Sequence, residues 1–321
     1  MRSLKGARAV VTGGAGFIGS HLCEALVAQG CSVICVDNMC TGEPGNLAGV
    51  ERSPSFRLIR HDVTEPFTID GPVDHVVHLA SPASPLDYLR MPLETLRVGS
   101  AGTENALRVA AAHRARFVLA STSEVYGDPA QHPQPESYWG NVNPVGPRAV
   151  YDESKRYAEA LTAAYRRTLG ADTAIARLFN SFGPRMRRND GRVVPTFIDQ
   201  ALAGEPLTIN GSGEQTRSLC YVDDTVKGLL ALMCSTVPGP VNIGATQELT
   251  VREIAELIAA EAGAELRTVS QQLPTDEPNR RCPDIELARA LLGWKPEISV
   301  SEGLRRTFGW WATAYPQGGR I

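Results

Sequence analysis

Tyr151 and Lys155 stand four residues apart in YDESKRYAEAL, one helical turn apart on the same face. An ammonium beside a phenol lowers the phenol's pKa, so its oxygen can take a proton from a substrate hydroxyl near neutral pH. The same lysine can hold a nicotinamide ribose. A YxxxK match alone is most often a surface helix, and its weight here comes from what lies upstream. Gly13, Gly16 and Gly19 in VTGGAGFIGSHL sit between a strand-like run and a helix start. Glycines there permit a tight turn, let backbone N–H groups approach a pyrophosphate and place phosphate at a helix N-terminus. Asp37 closes the next strand-like run, VICVDN, where a carboxylate hydrogen-bonds a ribose diol and repels a 2′-phosphate. NAD is therefore the expected cofactor. Asp62, closing the following run, reads either as an adenine-side contact or as a turn cap. Thr122, Ser123 and Glu124 in STSEVYG fall where a fifth strand should end, the rim at which ligands bind in open α/β sheets. Hydroxyls there can bond a reacting oxygen, and a carboxylate can act on a nearby carbon or water.

These residues need a scaffold, and the first half of the chain spells one. ARAVVTG, CSVICVDN, SFRLIRHDV, VDHVVHLAS, ARFVLASTSEVYG and ADTAIARLFNSFGP read as six strands. Helical patterns near 17–29, 92–113 and 151–170 separate some of them. That alternation implies βαβ units and a parallel sheet covered on both faces. Past Pro184 the rhythm changes: helical stretches near 194–203, 222–234 and 250–262 lie among prolines and glycines, followed by a Pro-rich tail. The expected fold is α/β, a doubly wound parallel Rossmann-type sheet with a smaller α/β substrate lobe. Residues 1–180, with a return near 219–244, form the expected NAD-binding domain, and 181–321 form mainly the substrate lobe.

With 321 residues and a formal charge of −3, the chain gives no reason to expect nucleic acid or an anionic membrane as a partner. Its N-terminus runs from two basic residues through a short apolar run into glycines, without the core and cleavage site of a signal peptide, so a cytoplasmic protein is expected. The seven cysteines show no CxxC pair and no His/Cys ligand spacing, so reduced thiols and no metal site are expected. Cys31 and Cys35 read as small buried hydrophobes, and Tyr157 and Tyr165 as packing residues.

Longer strings go further. HLASPASP (78–85), LASTSEVYGDP (119–129), HPQPESYWGNVNPVGPRAVYDESKR (132–156), RLFNSFGPRMRRNDGRVVPTFI (177–198), GEPLTINGSGEQTRS (204–218) and RRCPDIELARALLGW (280–294) resemble the extended short-chain dehydrogenase/reductase family. Within that family the chain is most similar to the UDP-glucuronate decarboxylases, over nearly its whole length. The resemblance implies a UDP-glucuronic acid substrate, a 4-keto intermediate, UDP-xylose as product and NAD regenerated in each cycle. Related 4,6-dehydratases of dTDP- or GDP-sugars carry Asp where this chain has Ser123. UDP-glucuronate 4-epimerases usually lack an acid at the position of Glu124. Dehydration is thus disfavoured, and 4-epimerisation is the standing rival; a non-catalytic NAD-binding sensor is disfavoured by the intact Tyr–Lys pair.

By the same resemblance, Phe17, Ile18, Asn38, Thr41, Gly42, Val63, Leu79 and Ser81 join the cofactor set. Arg97, Asn180, Arg185, Arg192, Arg217 and Arg281 would hold the sugar and diphosphate, with Arg281 also assisting the carboxylate. Three positions depart from the pattern. Gly99 replaces an Asn that orders the catalytic helix, Asn210 replaces a Tyr, and Arg97 replaces a Lys. Family members pair two helices per subunit into a four-helix bundle, which implies a homodimer here through helices near 97–113 and 150–168.

Overall fold

The computed structural model describes residues 3–188 and 190–315. Its centre is a seven-stranded parallel sheet. Six strands come from the first half: β1 (Arg8–Thr12), β2 (Ser32–Asp37), β3 (Phe56–Arg60), β4 (His75–His78), β5 (Arg116–Thr122) and β6 (Thr173–Leu178). RAVVT, HVVH and RFVLAST are apolar-rich and almost wholly buried, the pattern of strands covered on both faces. Seven further short strands follow. They are β7 (Ser181–Phe182), β8 (Leu207–Asn210), β9 (Thr216–Ser218), β10 (Cys220–Tyr221), β11 (Val241–Ile243), β12 (Glu248–Thr250) and β13 (Thr268–Gln271). Of these, β11 returns to pair with β6, giving the order β11-β6-β5-β4-β1-β2-β3. The crossover direction reverses between β1 and β4, which leaves a crevice beyond their carboxyl ends.

Helices cover both faces. α1 (Phe17–Ala28) and, much later, α7 (Val222–Cys234) lie on one side. The other side carries α2 (Pro85–Arg90), α3 (Pro92–Arg97), α4 (Thr103–His113) and α5 (Ala149–Leu169). Two separate apolar clusters fill the two interfaces: Val11, Leu22 and Val118 belong to one, Val10, Leu119 and Ala158 to the other. The alternation along β1 and β5 assigns neighbouring residues to opposite cores. α6 (Val193–Leu202) and α8 (Val251–Glu261) pack together in the lobe, beside the β8–β13 and β9–β12 pairs. Thr250 and Glu253 close a capping box that starts α8.

Three sequence expectations needed revision. The stretch 92–113 is interrupted by a π-helical segment, Val98–Gly102, with Gly99 inside it. A Cβ on Gly99 would fall 2.6 Å from the Ser154 Cβ, so glycine lets this segment approach α5 directly where a larger side chain was expected to order it. The Pro-rich tail contains α9 (Val300–Ala314), started by a Ser299 cap on the Glu302 N–H and anchored by fully buried Trp311. Tyr157 is exposed, whereas Tyr165 packs against a core cluster. Cys31 and Cys35 are fully buried.

Candidate active site

One cavity of about 1120 Å³ runs from the carboxyl ends of β1, β2 and β4 into the lobe. Every residue singled out from the sequence as a site candidate lines it. At the dinucleotide end, Gly13 adopts a φ of 71°, and a Cβ there would meet the Ala80 backbone N at 2.7 Å. A Cβ on Gly19 would lie 2.1 Å from the Gly13 carbonyl oxygen. Glycine at these two positions is what lets the loop fold tightly under α1. The α1 N-terminus, at Gly16–Phe17–Ile18, has neither a side-chain cap nor an acidic residue in its first turn, leaving its dipole directed at the cavity. Buried Asp37 accepts from the Ala15 N–H at 2.9 Å and the Met39 N–H at 2.8 Å, which fixes its carboxylate beside Thr41 and Gly42. Burial raises its pKa, and those two N–H bonds oppose the rise. Asp62 accepts from Thr64 N–H at 2.9 Å and from Asn38 Nδ2 at 3.0 Å, so it is a turn cap as well as a cavity residue. Val63, Leu79 and Ser81 complete this wall. A carboxylate at the strand end, an uncapped helix terminus and a glycine loop together fit NAD.

Tyr151 and Lys155 lie on the first two turns of α5, both buried. The Lys155 Nζ donates to the Ala120 carbonyl at 2.9 Å and sits 5.8 Å from the Tyr151 ring centroid. Burial brings the lysine down to about 8, with the Glu159 carboxylate opposing the fall. The phenol departs from the sequence expectation. Burial, followed by the negative charge of Glu124, raises it above its ordinary value; a hydrogen bond from Thr122 and the charge of Arg192 pull it back.

Glu124, expected from the sequence to act on a nearby carbon or water, is held in ion pairs. Arg281 grips both its oxygens, Nη1 to Oε1 at 2.5 Å and Nη2 to Oε2 at 2.6 Å, and Arg148 adds a third bond at 2.8 Å. Burial resists its charge, yet the two guanidiniums hold its pKa down at about 2. Arg148 reaches on to Glu277 at 2.8 Å, and Glu277 also pairs with Arg217. The resulting run, Arg281–Glu124–Arg148–Glu277–Arg217, joins residues far apart in the chain. Ser123, beside Glu124 in the chain, is buried and also lines the cavity.

The other arginines are also engaged. Arg185, at a φ of 68°, bonds Glu24 of α1 at 2.6 Å, and Arg192 pairs with buried Asp190 while lying 5.8 Å over the Phe17 ring. Asn180 and Asn210 line the lobe side, and exposed Arg97 stands at the rim. Sequence reasoning passed over Tyr88, Arg148, Glu277 and Asp152. Tyr88 stacks on Tyr151 at 5.1 Å with rings 9° apart, and its buried hydroxyl has no hydrogen-bond partner among the described residues. Arg148 and Asp152 flank Tyr151 in sequence, which was the available signal for both. Asp152 is buried, and burial together with Glu124 pushes its pKa up to about 7.

With that geometry in place, residues 9–244 match the NAD dependent epimerase/dehydratase family, and the chain belongs to it. The UDP-glucuronic acid decarboxylase 1 of Xenopus tropicalis is 52% identical over 302 residues, covering 94% of this chain and 71% of that protein. UDP-glucuronic acid decarboxylase 5 of Arabidopsis thaliana is 50% identical over 298 residues, 92% of this chain and 87% of that one. Among solved structures, a mutant UDP-glucuronic acid 4-epimerase from Bacillus cereus, in complex with UDP-4-deoxy-4-fluoro-glucuronic acid and NAD, superposes with a TM-score of 0.86. It is 28% identical, with coverage of 96% of this chain and 100% of that one.

Proposed function

We propose that this chain is an NAD-dependent UDP-glucuronic acid decarboxylase that forms UDP-xylose. The observation that carries the reading is the arginine–glutamate run beside Tyr151. Three guanidiniums face two carboxylates, leaving one positive charge in excess where a uronate carboxylate has to sit. Similarity to decarboxylases at about half of all positions supports the same assignment.

NAD, when bound, supplies the two-electron acceptor and a positively charged ring, and it is restored within the cycle. The Lys155 ammonium, aided by the positive ring when NAD is bound, favours the phenolate that burial and Glu124 oppose; as phenolate, Tyr151 takes the proton of the sugar's 4-hydroxyl while that carbon is oxidised. The ketone then lies β to the carboxylate, so the bond to CO₂ breaks and its electron pair passes into an enolate. Thr122 and the protonated Tyr151 donate hydrogen bonds to the enolate oxygen. Ionised Glu124 cannot itself give up a proton at neutral pH. Its part is to orient Arg281 and the water that protonates the fifth carbon, the hydroxide left behind being neutralised by a proton from solvent. Tyr151 returns its proton as the ketone is reduced. Ser123 lines the turn and provides no acid for dehydration.

Residues 1–180 with the return near 219–244 hold the cofactor in this reading; 181–321 hold the nucleotide sugar through Arg185, Arg192 and Arg217, helped by Asn180 at the boundary. Two copies pair through α4 and α5, with exposed Leu93 and Leu96 of α3 and Tyr157 of α5 extending the apolar surface. The enzyme works in the cytoplasm, where its free cysteines stay reduced. No described helix is long and apolar enough to cross a membrane. Purified protein given UDP-glucuronic acid without added reductant should release CO₂ and yield a UDP-pentose by NMR. A product that keeps its carboxylate with the fourth carbon inverted would establish the 4-epimerase instead. Light scattering at micromolar concentration should report a dimer mass.

A further inference from the structure

α5 carries a third charged residue in line with the catalytic pair. Tyr151, Lys155 and Glu159 fall at i, i+4 and i+8, one stripe of the helix. The second and third are fastened to consecutive residues near the end of β5: the Ala120 carbonyl accepts from Lys155 at 2.9 Å, and the Ser121 hydroxyl donates to Glu159 at 2.6 Å. The next residue, Thr122, lines the cavity with Tyr151. Glu159 alone of the three also reaches β6. Arg177 grips it through Nε at 2.9 Å and Nη2 at 2.7 Å, a two-pronged pair whose side chains are 12% and 13% exposed. Arg177 is itself held over the Tyr126 ring at 4.9 Å and bonds the Tyr126 hydroxyl at 3.0 Å. Tyr126 in turn bonds Asn242 of β11 at 2.8 Å. One carboxylate therefore ties the catalytic helix to β5 and, through Arg177, to β6 and β11.

We propose that Glu159 is a positioning residue for the Tyr151–Lys155 pair: it locks α5 against β5 and β6 and supplies the carboxylate that faces the Lys155 ammonium. Among the described residues, the charged and titratable groups around Lys155 are few. Glu159 stands on its own helix, and Tyr151 lies one turn before it. From β4 comes His78, held neutral with its pKa down at about 3 by burial and by the lysine's own charge. β5 contributes the neutral Ala120 carbonyl, and β6 contributes Arg177, already paired with Glu159. Burial drives Lys155 towards its uncharged form, and Glu159 is the group that opposes this. Losing that charge should move the lysine's titration further down, so the ammonium disappears at a lower pH. The inference rests on the decarboxylase reading only for its kinetic arm.

The test uses the full-length protein with NAD. The chain has only four lysines, Lys5, Lys155, Lys227 and Lys295, so carbon-13 labelling at the lysine Cε resolves Lys155 without reference to any substrate. In Glu159→Gln, which keeps the shape and removes the charge, Lys155 should titrate about 1 pH unit or more below the wild type. CO₂ release should fall about 10- to 100-fold in kcat, with KM for UDP-glucuronic acid changed less than about threefold and the alkaline limb of the pH profile shifted downward. An unmoved Lys155 titration, or a loss carried by KM with kcat intact, would overturn the proposal. Should Glu159→Gln not fold, Glu159→Asp keeps the charge and shortens the reach. Lys155 should then titrate near the wild-type pH while kcat falls, and an unchanged kcat overturns the positioning role. If the wild type releases no CO₂, the functional reading fails, while the titration still decides for or against Glu159.

Discussion

The two ends of the cavity are built on opposite principles. At the dinucleotide end the working parts are backbone: a glycine loop, an uncapped helix terminus and one carboxylate held by N–H groups. At the end proposed for the sugar they are side-chain charges, alternating from Arg281 to Arg217 and drawn from segments more than a hundred residues apart. Backbone geometry tolerates no added atoms, whereas a charge network responds to pH and to single-charge removal. Substitutions at the two ends should therefore fail in different ways.

The largest expected effect tests the chemistry between them. Tyr151→Phe should lower kcat by about 10³-fold or more while NAD binding, measured by fluorescence titration, stays within about threefold. Unchanged turnover would sink the proton-transfer role. Gly19→Ala should break the other end by steric conflict, since its Cβ has 2.1 Å to the Gly13 carbonyl oxygen. NAD affinity should drop about 100-fold at every pH, with UDP binding retained. A pH-dependent loss would show that charge matters there too, erasing the contrast.

Arg281→Met should act through charge. Glu124, now held at about 2 against burial by Arg281 and Arg148, would lose its largest support and titrate higher. Activity should fall about 10- to 100-fold, and an acid limb absent from the wild type should appear near pH 5 to 6 in the kcat profile. A flat profile would mean that Arg148 alone suffices. The smallest effect concerns stability. Asp152 has its folded pKa raised to about 7 by burial and by Glu124, so between the unfolded value and 7 the folded state binds the extra proton. Folding stability from this group therefore declines as pH rises through that window, the reverse of a salt-bridged aspartate. Asp152→Asn should gain on the order of 1 kcal/mol over the wild type at pH 8, measured by denaturant unfolding, and nothing at pH 4.

The sequence by itself determined the sheet, the glycine loop, Asp37 and the Tyr151–Lys155 pair, because each is set by local periodicity or by spacing within one turn. It also named Glu124, Arg217 and Arg281 as site residues through longer strings. It did not reveal α9, whose capping residues Ser299 and Glu302 lie behind a Pro-rich approach. Nor did it reveal what the charges do to one another. That Arg281 and Arg148 occupy Glu124, that Glu277 bridges Arg148 to Arg217, and that burial and Glu124 raise the phenol that the Lys155 ammonium was expected to lower were decided only by the tertiary structure. Pairing and desolvation depend on distances between residues that the chain order leaves far apart, and no spacing rule along the sequence encodes them.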